Sequence, residues 1–321
     1  MIGVIGGGAW GTALAQVIAQ TEDVILWARE QQVVTAINTA RENPDFLPGV
    51  SLSSRIRATG MTEDLAAADV WLVVAPAQHL RGVLAECPLA GRPKLVLCAK
   101  GIEAHTLKLM AEVVADVSDA SVAILSGPTF AGEVARGLPT AVTLACADAV
   151  IGAELMQRLA RPAFRPYFSD DVPGAEIGGA VKNVLAIACG VVDGAGLGLN
   201  ARAALIARGF AEMTRFGLAR GARAETLAGL SGLGDLVLTC SSANSRNFAL
   251  GLGIGRGERA ATLLAGARTV AEGAATASVL VAAAKAAGIE MPIAAAVTAL
   301  LAGAPVAETV SALLARPLRP E

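Results

Sequence analysis

Aromatic side chains are scarce in this chain, at 3% of 321 residues, and 26 lysines and arginines face 28 aspartates and glutamates. A net charge of −2 with so few rings offers neither the basic surface nor the stacking platforms of a nucleic-acid binder. Histidine is nearly absent: His79 and His105 are the only two, which argues against a multi-histidine metal site and leaves acid–base work to another side chain. The five cysteines (Cys87, Cys98, Cys146, Cys189, Cys240) are odd in number, contain no C-x-x-C pair and mostly sit in apolar stretches. That pattern speaks against a disulfide framework and against structural zinc. Long uninterrupted apolar runs are missing too. The charge-free stretch 1–21 is broken by Gly6-Gly7-Gly8 and has no basic start, and 291–307 contains Pro292, Gly303 and Pro305. Neither reads as a signal peptide or a spanning helix, so no membrane insertion is expected.

What is present is apolar and orderly. Hydrophobic residues make up 54% of the chain and charged ones 17%, enough for a large core, and the length suggests two domains. Short apolar runs at 1–5, 24–27, 70–74, 94–98, 122–125 and 141–146, with a weaker one near 164–168, alternate with helix-compatible stretches. They read as strands of a mostly parallel sheet covered by helices. After about Pro173 the pattern turns to Ala- and Leu-rich helices at 184–192, 201–215, 271–287 and 293–301, joined by Gly-rich connections at 194–198 and 229–234. The expected fold is an α/β domain with a mostly parallel sheet over residues 1–173 and an all-α domain over 174–321. The Ala-rich helices could supply a homodimer interface or be internal core.

The first strand runs into Gly6-x-Gly8-x-x-Gly11 and then a helix-compatible stretch. Strand, glycine turn and helix in that order form a dinucleotide site: Gly6 for the turn, Gly8 for approach to a pyrophosphate, Gly11 for strand–helix packing. At the end of the second strand Arg29 and Glu30 stand side by side. Arg29, nearer the strand, favours the 2′-phosphate of NADP(H), while Glu30 leaves NAD(H) open. Lys100 and Ser126-Gly127-Pro128-Thr129 each follow a strand, on the edge where ligands of open α/β sheets bind. In Gly178-Gly179-Ala180-Val181-Lys182-Asn183 the glycines share a helical face with Lys182. Such a bare face suits either a flat ligand reaching a proton-transferring lysine or close helix packing with the lysine reaching out to water. Gly232-Leu233-Gly234-Asp235 and a Ser245-Arg246-Asn247 loop complete the set, the latter suited to a phosphate.

Taken together, V-I-G-G-G-A-W-G-T-A-L-A, A-K-G-I-E, S-G-P-T-F-A-G-E, G-G-A-V-K-N-V-L-A-I, N-A-R-A-A-L-I-A-R-G, G-L-G-D-L-V-L-T-C and S-R-N resemble the bacterial NAD(P)-dependent glycerol-3-phosphate dehydrogenases along nearly the whole chain. The resemblance implies a Rossmann-type N-terminal domain and a helical C-terminal one, with reversible hydride transfer between nicotinamide and dihydroxyacetone phosphate, a small phosphorylated triose, giving sn-glycerol 3-phosphate for glycerophospholipid synthesis. It implies Lys182 as proton donor and acceptor. Lys100, Gly127, Thr129, Asp235, Ser245, Arg246 and Asn247 match substrate positions. Ala9, Trp10, Arg29, Lys100, Ala131, Arg246, Val270 and Glu272 match cofactor positions, with no metal. Ala9 departs from the Ser or Asn of many relatives, which removes one side-chain hydrogen bond. A cytoplasmic enzyme is the expectation. The competing readings are a lysine-dependent NADPH dehydrogenase acting on a hydroxy acid or ketopantoate-like substrate, and a nucleotide sensor without turnover.

Overall fold

The structure, a computed structural model, describes residues 1–266 and 271–317. The chain divides into two compact units, one of residues 1–100 with 108–176 and the other of 101–107 with 177–321.

The first unit is built on eight strands: β1 (Ile2–Ile5), β2 (Val24–Trp27), β3 (Ile56–Thr59), β4 (Val70–Val73), β5 (Lys94–Leu97), β6 (Val122–Ser126), β7 (Thr140–Cys146) and β8 (Phe164–Ser169). They lie in the order β3-β2-β1-β4-β5-β6-β7-β8. Neighbours pair in parallel except β6 with β7, which run antiparallel. The first six strands follow the doubly wound order, whose reversal between β1 and β4 opens a ligand crevice at the strands' carboxyl ends. Helices α1 (Ala9–Ile18), α2 (Gln31–Ala40), α3 (Leu80–Ala85), α4 (Met110–Val117), α5 (Ala131–Ala135) and α6 (Ala149–Leu159) link them.

Both sheet faces are buried because successive strand residues point to opposite sides. Val4, Leu26, Leu72, Val96 and Leu125 pack with Leu14 and Ile18 of α1 and Leu155 and Leu159 of α6. Ile5, Trp71, Val73, Leu97 and Ile124 pack instead with Leu80 and Leu84 of α3 and Val113 and Val114 of α4. The buried Trp71 indole donates to the Leu65 and Ala68 carbonyls, so this large ring leaves no orphaned N–H. At the opposite edge from the ligand crevice, Arg158 of α6 bridges Glu22 and Asp69, each at 2.6 Å.

The second unit is helical. After α7 (Val172–Gly194), which begins in the first unit, come α8 (Gly198–Ala219), α9 (Ala224–Ala228), α10 (Asp235–Cys240), α11 (Arg246–Gly255), α12 (Ala260–Ala265), α13 (Glu272–Ala286), α14 (Pro292–Leu301) and α15 (Val306–Leu314). Among the described residues α7 is the one helix long and apolar enough to cross a membrane, and its apolar window is wholly buried in the fold. It meets α11 backbone to backbone. A Cβ on Gly190 would strike the Phe248 carbonyl, one on Gly251 the Ile187 carbonyl, one on Gly194 the Leu252 carbonyl and one on Gly255 the Val191 carbonyl. Farther along, the buried carboxylate of Glu212 in α8 accepts the Ile293 N–H (2.8 Å) and the Ala294 N–H (3.4 Å), closing the first turn of α14. Burial pushes this carboxyl up to about 7, against those two hydrogen bonds and the nearby Arg215 and Arg316.

Several expectations need correcting. Strand β3 is not foreseen from the sequence, because Ile56–Thr59 alternates around the exposed Arg57 and forms no apolar run. The 229–234 segment is not a Gly-rich connection but a π-helical turn, Leu230–Gly234, feeding directly into α10. Ser245-Arg246-Asn247 is not a loop either. Ser245 is the N-cap of α11 and its hydroxyl accepts the Phe248 N–H at 3.3 Å, with Arg246 and Asn247 the first helical residues.

Candidate active site

The glycine turn comes first in the chain. Gly6 holds φ +120°, which a side chain would strain, and donates its N–H to the Trp27 carbonyl. Gly11 sits so close to the Gly6 carbonyl that any Cβ would collide with it, whereas a Cβ on Gly8 would meet nothing within 4 Å. Ala9 and Trp10 open α1, whose first turn carries no acidic residue, so its N–H groups and dipole face outward uncompensated. Ala131 likewise opens α5. Arg29 lies two residues past β2 and is exposed. Its guanidinium pairs with Glu30 at 3.0 Å, so the two residues that point to opposite cofactors are bonded to one another.

On the carboxyl edge of the same sheet, Lys100 Nζ and the Thr129 hydroxyl both donate to the Gly127 carbonyl, each at 3.4 Å. Gly127 admits no side chain, because a Cβ would press on Val142 of β7. These three residues therefore form one constellation in the first unit.

The second constellation lies in the helical unit. Lys182, 6% exposed at mid-length of α7, donates to Asp235 Oδ1 at 2.5 Å and to Thr239 Oγ1 at 2.9 Å. Asp235 has no exposed surface, and the Thr239 hydroxyl lies 3.3 Å from Asp235 Oδ1. Asp235 and Thr239 are one turn apart on α10, and the preceding π turn sets that face toward α7. Lys182 thus does not reach out to water; it is held inside. Gly178 takes the close-packing role, since a Cβ there would strike the Ser231 carbonyl in the π turn. Beside Thr239, the Cys240 thiol is pushed well up by its hydrogen bond with Cys189 and by burial, which keeps it a neutral thiol.

A further chain of hydrogen bonds joins the remaining residues. Asn247 Nδ2 donates to Asn183 Oδ1 at 2.9 Å, and Asn247 Oδ1 accepts the Gly273 N–H at 2.9 Å, next to Glu272 at the start of α13. Arg246 is exposed at the first turn of α11. Val270 lies outside the described residues. Thr239 and Asn183 lie in motifs singled out in the sequence but were given no role of their own. The i, i+4 spacing of Asp235 and Thr239, and the direct adjacency of Lys182 and Asn183, were the available signals. Asn43, whose side chain bonds the glycine turn, carried no local signal at all.

Comparison with known proteins adds the chemistry. Residues 1–151 match the family model for the NAD-dependent glycerol-3-phosphate dehydrogenase N-terminus, and residues 171–311 match the model for its C-terminus. The glycerol-3-phosphate dehydrogenase [NAD(P)+] 1 of Sphingopyxis alaskensis is 62% identical over 99% of this chain and 97% of its own length. The protein of that activity from Erythrobacter litoralis is also 62% identical, over 100% of this chain and 97% of its own. Among solved structures, glycerol-3-phosphate dehydrogenase from Coxiella burnetii superposes with a TM-score of 0.93 at 36% identity, covering 98% of each chain. A ketopantoate reductase from Ralstonia eutropha shares the fold at a TM-score of 0.62 with 16% identity, covering 97% of this chain and all of its own.

Proposed function

The chain belongs to the NAD-dependent glycerol-3-phosphate dehydrogenase family and is an NAD(P)-dependent oxidoreductase, and from that premise we propose how its own residues reduce dihydroxyacetone phosphate to sn-glycerol 3-phosphate. The observation that carries the proposal is the buried Lys182 ammonium clasped between Asp235 and Thr239. A ketone reduced by hydride needs a proton at its oxygen, and a lysine fixed by a carboxylate is suited to supply one. Lys182 Nζ gives that proton in the reducing direction and takes it back in the oxidising one. Asp235 and Thr239 hold Nζ in place, and Asp235 supplies the negative charge that makes a buried ammonium tolerable.

The residues present fit a dinucleotide. Gly8 leaves open space where any other residue would place a side chain, next to a helix start without an acidic side chain. When bound, the nicotinamide supplies or accepts the hydride. Residues 1–173 are the dinucleotide-binding domain in this reading, with Gly6, Gly8, Ala9, Trp10, Gly11, Arg29, Lys100, Ala131, Arg246, Val270 and Glu272 around the cofactor. Residues 174–321 are the substrate-binding and catalytic domain. The Ser245-capped start of α11, with Arg246 and Asn247, receives the phosphate, since a helix N-terminus and a guanidinium both favour an anion. Lys100, Gly127 and Thr129 complete substrate binding. The exposed Arg29 guanidinium favours NADP(H) over NAD(H). The setting is a cytoplasmic enzyme that supplies glycerophospholipid synthesis.

The test is loss of nicotinamide absorbance with dihydroxyacetone phosphate, using NADPH and NADH in parallel. Turnover with the triose phosphate and none with ketopantoate is expected, with the larger kcat/KM for NADPH. Turnover on ketopantoate alone would overturn the substrate, and a larger kcat/KM for NADH would overturn the role given to Arg29.

A further inference from the structure

Asn43 follows α2 in a tight turn and has no exposed surface. Its amide is fully engaged. One N–H of Nδ2 goes to the Gly7 carbonyl at 2.8 Å and the other to Thr12 Oγ1 at 2.8 Å, while Oδ1 accepts the Phe46 N–H at 3.3 Å. The Thr12 hydroxyl in turn donates to the same Gly7 carbonyl at 3.3 Å, which closes a triangle. A buried amide with all its partners made is stable; one with a partner removed leaves a costly orphan.

The consequence lies on the other side of the peptide. No peptide bond among the described residues is cis, and in a trans peptide the carbonyl and the following N–H point in opposite directions. With the Gly7 carbonyl held inward by Asn43 and Thr12, the Gly8 N–H is turned the opposite way, on the residue whose missing side chain leaves open space. Asn43 also anchors the segment behind it. Phe46, Leu47, Pro48, Gly49 and Val50 line a cavity of about 250 Å³ together with Ala9 at the start of α1.

We propose that Asn43 is a positioning residue for the cofactor's pyrophosphate, acting through the Gly7–Gly8 peptide to aim the Gly8 N–H at the phosphate oxygens. The inference rests on the dinucleotide reading of the glycine turn. Asn43 does not touch the reacting atoms; it sets the one peptide that must face the anion.

The experiment compares Asn43→Asp, Thr12→Val and Thr12→Ser with the wild type, measuring NADPH affinity by nucleotide fluorescence alongside kcat, the KM for dihydroxyacetone phosphate and Tm. Asn43→Asp keeps the shape and the acceptor for Phe46 but has no N–H for Gly7 or Thr12. It should weaken NADPH binding roughly tenfold, about 1.4 kcal/mol, with kcat at saturating NADPH and the triose phosphate KM within about twofold of wild type. Thr12→Val should weaken NADPH severalfold and Thr12→Ser, which keeps the hydroxyl, should bind as wild type. Should Asn43→Asp fail to fold, the Thr12 pair decides alone: weakening by Val and not by Ser upholds the proposal, and equal binding by both overturns it. A folded Asn43→Asp that binds NADPH like wild type overturns it, as does a loss spread equally over cofactor, substrate and kcat. Wild-type protein that bound neither NADPH nor NADH would overturn the dinucleotide reading, and this proposal with it.

Discussion

Taking an ammonium out of water costs several kcal/mol unless a counter-charge goes with it. Lys182 and Asp235 share that cost, and Thr239 adds a hydrogen bond to each. Replacing Lys182 with Ala should lower kcat by about 10²–10⁴-fold, the usual range for a lost acid–base group, while NADPH affinity stays within about twofold. Near-normal turnover in that variant would sink the assignment. Thr239→Val keeps the volume and removes one of the oxygens bonded to Nζ, so kcat should fall by about tenfold with the triose phosphate KM little changed; a pure KM effect would instead place Thr239 in substrate binding. At this scale the sequence was legible wherever a residue type is rare in its setting. A lysine between glycines in an apolar helix is such a case. Thr239 is not, because a threonine among Leu238 and Cys240 reads as ordinary helix, and only the turn-spaced partner Asp235 marks it. Asn43 was unreadable because its partners Gly7 and Thr12 are brought to it by the fold.

At the scale of elements, glycine has opposite effects in two helices. Gly82 in α3 has open space around its Cα, so Gly82→Ala should stabilise the protein by about 1 kcal/mol through helix propensity alone. Gly251→Ala in α11 would drive a methyl into the Ile187 carbonyl and should destabilise by ~1–3 kcal/mol or more. Urea unfolding of both variants checks the pair, and like signs would refute the packing account. Glu212 gives an element its pH dependence. With the folded carboxyl raised to about 7 from 4.5, the folded state holds the extra proton, so this group's contribution to stability is greatest below 4.5 and declines as pH rises through 7. The decline is about 3 kcal/mol at most. Unfolding at pH 5 and pH 8 should therefore show Glu212→Gln gaining on wild type at the higher pH. A constant difference would mean that the carboxyl titrates normally. Elements were legible from the sequence where apolar residues cluster, as in β1, β4 and β5. They were not where a charged residue interrupts a four-residue run, as Arg57 does in β3, nor where direction matters. Nothing in residues 140–146 tells that β7 runs antiparallel to β6.

At the scale of the whole molecule, a ligand that binds only the folded protein stabilises it by mass action, by about 2.7 kcal/mol at a hundredfold excess over Kd. NADPH should accordingly raise Tm by roughly 5–10 °C, with slowed amide exchange concentrated in β1, the glycine turn and the 43–50 segment. Protection confined to the helical unit would contradict the placement of the cofactor. The change from short β-type runs to Ala-rich helices was visible in the sequence because the two classes of element differ in hydrophobic period. The way residues 101–107 are counted with the later helices was not, since seven residues carry no period to read. The interlocked glycines of α7 and α11 have one more consequence. Lys182 and Asn183 ride on one of these helices, Arg246 and Asn247 on the other, and the two touch through main-chain atoms. Main-chain dimensions do not change when side chains mutate. The spacing between the proposed proton donor and the proposed anion seat is therefore set by the main chain, calibrated like a gauge block.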